Sequence, residues 1–224
     1  MRLARAERPW RIVFGGVGVA ALVLQYVLMV AKHGDALVAR TINFFSFFTI
    51  LTNILVTAAF VIPAVAPRGA VWRWADSEGV RAATTMYAVV VGLVYHFLLA
   101  SSWSPQGWDW VANFALHYVM PLAMLLDWML FTPKGRLRWI DPVKWLAFPL
   151  VYGAWTAVHG VVSHWWPYGF VNVDRLGWGV ALVWYAGLLA FFLAVGLIVT
   201  ALDRRLGRAR SNPPMDHTSR TSTS

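Results

Sequence analysis

Cysteine is absent from the chain, which excludes disulfides, thiolate nucleophiles and thiolate-bound metals. Charge is scarce as well: 13% of the 224 residues are Asp, Glu, Lys or Arg, against 59% that are hydrophobic. An ordinary soluble domain carries about twice that charged fraction, so lipid is the natural solvent of this sequence. Short alternating segments divided by turns are lacking, which excludes a transmembrane barrel. No glycine-rich loop follows a strand, and Gly15, Gly16 and Gly18 therefore indicate close helix packing and not phosphate binding. A small-residue cleavage site after the first apolar run is also missing, so that run is expected to remain as a span. Neither an internal repeat nor an inverted pair of broken helices is visible.

What is present is a series of long apolar runs, at about 12–31, 44–65, 83–103, 109–132, 144–164 and 177–202. Only helices or closed barrels satisfy backbone polar groups in lipid, so the fold class expected is all-α: a polytopic bundle of six transmembrane helices. The chain then divides into an N-terminal segment 1–11, a membrane domain 12–202 and a tail 203–224. From Gly207 onward the tail is rich in Ser, Thr and Pro, and disorder is expected there.

The formal charge of +9 does not point to nucleic acid, because the basic residues form short clusters between apolar runs. Sixteen Lys and Arg fall in the two termini and in the loops after the second and fourth runs, Arg11, Arg81, Arg138 and Arg205 among them. The other side holds only Lys32, Arg40 and Arg175, so the positive-inside rule puts both termini in the cytoplasm. Trp10, Trp72, Trp74, Trp103, Trp108, Trp110, Trp139, Trp145, Trp165 and Trp166 sit at the run ends, as interfacial anchors do.

Polar side chains inside a bilayer are costly and mark candidate sites. At 1.5 Å per residue, Thr49 lies about 9 Å below the start of the second run, His96 about 10 Å below the end of the third, His117 about 12 Å below the start of the fourth, and His159 about 9 Å below the end of the fifth. Four helices thus bring polar groups to one level of the outer half. Thr52 and Asn53 follow Thr49, while Asn113, His117 and Asp127 share a helix face. Pro121 frees the His117 carbonyl and predicts a kink beside it. For each residue a plainer reading stands alongside: a threonine bonding its own backbone, a histidine serving as hydrogen-bonded structure, Asp127 as a helix-pairing residue.

Three short motifs resemble the androgen-induced integral membrane family, six-helix proteins whose animal members hydrolyse fatty acid esters of hydroxy fatty acids with a threonine nucleophile. They are Phe47-Phe48-Thr49; Asn113-Phe114-Ala115-Leu116-His117 with Pro121 and Asp127; and His159 followed by Trp165-Trp166-Pro167-Tyr168-Gly169-Phe170. Tyr118, Phe114 and the Pro167-Tyr168 order depart from the animal pattern, Leu51-Thr52 fits the threonine motif as well, and the chain looks more like the bacterial relatives. The resemblance implies a multi-pass protein of the cell membrane, the bacterial inner membrane, with Thr49 as nucleophile and His117 as base. Thr52, Asn53, His96, Asn113 and His159 would line the site, the lipid bilayer and a fatty-acyl ester would be its partners, and no cofactor or metal is implied. Two alternatives stand beside it: a b-type haem held by His96 and His117 for electron transfer, and a lipid-binding or transport bundle without chemistry.

Overall fold

Because lipid offers no partner to a backbone N–H or C=O, each apolar run must close its own hydrogen bonds, and each does so as helix. The computed structural model describes residues 2–32, 36–66 and 68–211. Its helices are α1 (Arg2–Lys32), α2 (Leu37–Phe45), α3 (Phe48–Val65), α4 (Ala70–Ala75), α5 (Glu78–Val94), α6 (Trp108–Phe114), α7 (Met120–Phe131), α8 (Asp141–Trp145), α9 (Ala147–Ser163) and α10 (Val173–Ser211). Strands are absent among the described residues. Six stretches are long and apolar enough to cross a membrane: Arg5–Lys32, Phe48–Val65, Glu78–Leu99, Trp108–Phe131, Asp141–Ser163 and Val173–Ala209. The chain is an all-α, multi-pass membrane bundle.

The second, third and fourth spans form the interior, where Phe60, Met86, Met120, Met124 and Trp128 are fully buried. The other three spans turn residues such as Val13, Val162 and Val183 outward, the composition a lipid-facing surface requires. Close approach of α1 depends on two small residues. A Cβ on Gly15 would stand 2.9 Å from Val61, and one on Gly18 would run into Thr57 and lie 2.7 Å from Met120, whereas Gly16 meets nothing within 4 Å. Gly16 therefore departs from the packing role expected of it. Gly18→Leu should overpack the bundle and cost about 1–3 kcal/mol, with Gly16→Leu close to neutral. Thermal unfolding of the two variants in detergent checks the contrast, and equal midpoints would defeat it.

Three boundaries differ from the sequence reading. The run beginning at 44 is broken, because Phe47 is extended (φ −85°, ψ 128°) between α2 and α3. Ser46 is wholly buried at this break: its hydroxyl donates to Ile42 O at 2.8 Å and accepts from Trp155 Nε1 at 2.9 Å, while its carbonyl accepts from Tyr152 OH at 3.0 Å. The fifth span thus supplies the donors that a broken helix leaves wanting. The third span starts earlier than 83, because Ser77 caps it by accepting from Val80 N at 3.4 Å and Glu78 occupies its first turn. Finally, α10 continues through Ser211, so residues 203–211 are helical and not part of a disordered tail; the remainder of that tail, 212–224, lies outside the described residues. Buried Asp203 explains the extension. Its carboxylate accepts from Gly135 N at 2.9 Å and Leu137 N at 3.0 Å, which fastens the loop after α7 to α10. Gly135 (φ 89°) and Gly207 make that crossing tight, since a Cβ on Gly207 would lie 2.7 Å from Gly135 N.

The end of the bundle nearest Asp127 contains a buried ionic cluster. Arg81, fully buried, pairs with Asp127 and donates to Ala59 O at 3.0 Å and Thr132 Oγ1 at 3.2 Å. Arg11 reaches Asp76 and Glu7, each at 2.8 Å, and Asp127 at 3.3 Å. Asp127 is thus a pairing residue whose partners are arginines. Arg11 and Arg81, counted above as loop charges, are internal. Several tryptophans also depart from the anchor reading: Trp145 is buried, and Trp166 folds back over Gly160 with its Nε1 donating to Asp174 at 2.9 Å.

Candidate functional site

At the opposite end, Thr49 is the second residue of α3, just past the break at Phe47, and it is 9% exposed. The fourth span delivers His117 to it. Residues Ala115–Val119 form a π-turn between α6 and α7, and Tyr95–Leu99 form another at the end of α5. Such turns re-aim side chains by inserting one residue per turn, and they concentrate at functional sites. Here they stack Tyr95 on His117, with ring centroids 3.9 Å apart and planes at 26°. Beside His117, where the sequence predicts a kink, the span carries this π-turn. Pro121, lacking an N–H, opens α7, and the His117 carbonyl faces Gly92, where a Cβ would stand only 3.2 Å away.

The His117 ring is held on both sides. Its Nδ1 lies 3.0 Å from the Asn113 carbonyl, which can only accept, so the proton of the neutral ring sits on Nδ1. Nε2 is then an acceptor, 3.3 Å from the Thr49 hydroxyl. This is the arrangement of a nucleophile, its base and an orienting group, at a spacing close to hydrogen-bond length. Asn53 braces the two spans: its Nδ2 donates to Thr49 O at 2.9 Å and to Leu116 O at 3.0 Å. Both of its protons are spent, so Asn53 supports the site and is not available as an oxyanion donor. Asn113 donates to Tyr95 OH at 2.6 Å and leaves its side-chain oxygen without a partner.

Other candidates fall elsewhere. Thr52 is 1% exposed, its hydroxyl has no hydrogen-bond partner, and it lies a helical turn beyond Thr49. His159 stacks between Trp155 and Trp165 with a buried, unpartnered Nδ1 and does not line the cavity at Thr49. His96 is exposed on the outer side of its π-turn and meets Tyr118 OH at 3.2 Å. A bis-histidine haem does not fit this geometry, because both His117 nitrogens are engaged and His96 points away from the cavity. Among the described residues no group of three or more His, Asp or Glu is placed to hold a metal ion.

Two residues enter the site that residue-by-residue reading did not single out. Tyr95 adjoins His96 in sequence, and its interior position was masked by the ionisable neighbour. Tyr168 arrives from the loop after α9, and its hydroxyl accepts from Thr49 N at 3.4 Å. Burial pushes the Tyr168 phenol above its ordinary range, more than its contact with Thr49 lowers it, so it remains a protonated donor at neutral pH.

Thr49 stands on the wall between two cavities. One, about 450 Å³, opens past Gln25, Arg40, Asn43 and Trp103 and has His117 and Asn113 on its wall. The other is narrow and apolar, about 60 Å³, between Phe48, Val91, Pro149 and Phe192. Thr49, Tyr95, Leu99 and Tyr168 border both. Comparison of the chain with family models, curated proteins and solved structures yields no match.

Proposed function

We propose that the protein is an intramembrane lipid-ester hydrolase in which Thr49 is the nucleophile and His117 the general base. The observation that carries the reading is the hydrogen-bonded chain Thr49 Oγ1, His117 Nε2, His117 Nδ1, Asn113 O, with one end facing an open cavity and an apolar chamber alongside. In the first step Thr49 Oγ1 bonds to the acyl carbon while Nε2 takes the hydroxyl proton; the C–O bond to the alcohol then breaks and the alcohol leaves with that proton. Water, deprotonated by Nε2, hydrolyses the acyl-threonine. Charge on the carbonyl oxygen falls near Tyr168 OH, the protonated phenol beside Thr49, which serves as its donor. The resemblance to the androgen-induced family, met at Thr49 and His117, supports the same assignment.

A purified preparation should therefore be labelled by a fluorophosphonate, which needs an activated hydroxyl. A lipid-binding or transport bundle, the reading that the cavities alone would support, would stay unlabelled. A hydrolase of this kind works with Thr49 toward the outer leaflet and both termini in the cytoplasm, because the basic residues crowd at the other end. Reporters fused after Arg138 and after Arg205 should report the cytoplasm and one inserted near Asp174 the exterior; an external signal after Arg138 would reverse this orientation.

A further inference from the structure

The narrow chamber beside Thr49 has a second neighbour. On the lipid-facing side, between the end of the third span and the sixth, lies an open apolar groove of about 510 Å³ lined by Phe97, Val183, Trp184 and Gly187. Val94 and Leu188 belong both to this groove and to the chamber. Groove, chamber and the cavity at His117 therefore form a series of neighbours, each sharing wall residues with the next, from the flank of the bundle past Thr49 to the outer mouth. Phe97 and Val183 are more than 70% exposed on the flank of the bundle, the surface that meets acyl chains. The sixth span contributes an opening of its own here, since a Cβ on Gly187 would meet nothing within 4 Å.

From this series we propose a lateral portal: the acyl chain of a bilayer lipid occupies the groove and passes between Val94 and Leu188 into the chamber, so that the protein takes its ligand from the membrane and not from water. The occupant is a hydrocarbon chain for two reasons. The groove is apolar and lies on the flank of the third and sixth spans, and the chamber, about 60 Å³, has room for the methyl end of a chain and not for a headgroup. Chain capture of this kind is separate from turnover, and Thr49 serves it only as part of a wall.

The test is photolabelling of the full chain in phosphatidylcholine vesicles containing a phosphatidylcholine with a diazirine near the methyl end of one acyl chain. Val91 and Phe192 line the chamber but not the groove and are buried from the bilayer, so they are labelled only by a chain that has entered. Labelling of both is expected in the native protein and equally in Thr49→Val. Gly187→Phe fills the groove and should bring labelling of Val91 and Phe192 to background while Val13, on the far flank, is labelled as before; Gly187→Leu provides the same block with a smaller side chain. Ser102→Trp, at the outer mouth, should leave chamber labelling unchanged. Unlabelled Val91 and Phe192 in the native protein would overturn the portal, as would labelling that survives both groove substitutions or is lost in Ser102→Trp. Chamber labelling without any fluorophosphonate reaction would retain the portal and reject the hydrolase.

Discussion

Thr49→Val is expected to abolish fluorophosphonate labelling and to lower ester turnover by at least about three orders of magnitude, while the protein inserts and purifies as before. Valine keeps the shape of the side chain and removes only the hydroxyl that meets His117 Nε2. The structural cost is small, because a hydrogen bond within a membrane bundle is worth about 0.6 kcal/mol. His117→Ala should give the same loss, since a threonine without its base is an unactivated alcohol. Thr52→Val is the control that separates the two threonines. Its hydroxyl is buried without a partner, so the substitution removes an unmet polar group and should be neutral or slightly stabilising with turnover intact. Native turnover in Thr49→Val would end the hydrolase assignment at this residue; loss confined to Thr52→Val would transfer it one helical turn along.

The largest effect on stability is expected at Asp127. Asp127→Leu leaves the fully buried Arg81 without its carboxylate and deprives Arg11 of a third partner, for a loss of about 3–5 kcal/mol. Replacing Arg81 as well, in Asp127→Leu/Arg81→Met, should restore much of the loss, because the penalty comes from an uncompensated charge and not from a missing attraction. Unfolding midpoints in mixed detergent measure both variants. A loss below about 1 kcal/mol for the single substitution would show that Asp76 and Glu7 neutralise the arginines unaided.

Composition and run length carried the fold a long way. Six spans were legible because about 20 apolar residues are needed to cross a bilayer and little else in 224 residues can supply them. The equal depth of Thr49 and His117 was legible too, since rise per residue is fixed in any helix. Lateral proximity was not. It depends on the two π-turns, and a one-residue insertion into a helix that stays hydrophobic leaves no compositional trace. His117 and Asp127, assigned to one face, are ten residues and about 15 Å apart along the span, so they serve opposite ends of the bundle. Arg11 and Arg81 were misread for a related reason: an arginine at the end of an apolar run looks identical whether it meets headgroups or a buried aspartate on another helix. Asp203 was lost among the charges that follow the last run, although its two backbone partners, Gly135 and Leu137, make it part of the folded domain.

The break at Ser46 and Phe47 has an electrostatic consequence. Because α3 begins there and not at the membrane surface, the positive end of an 18-residue helix macrodipole, equivalent to about half an elementary charge, lies beside the second residue of that helix. Thr49 is only 9% exposed, so water and salt screen this field less than they would at an open surface. Negative charge generated at Thr49 Oγ1, or on a carbonyl oxygen attached to it, is therefore stabilised by the backbone itself, by up to about 2 kcal/mol in a partly buried setting. An unbroken helix from Leu37 to Val65 would carry that pole away to the level of Leu37 and leave Thr49 in mid-helix, where the field of the peptide dipoles largely cancels.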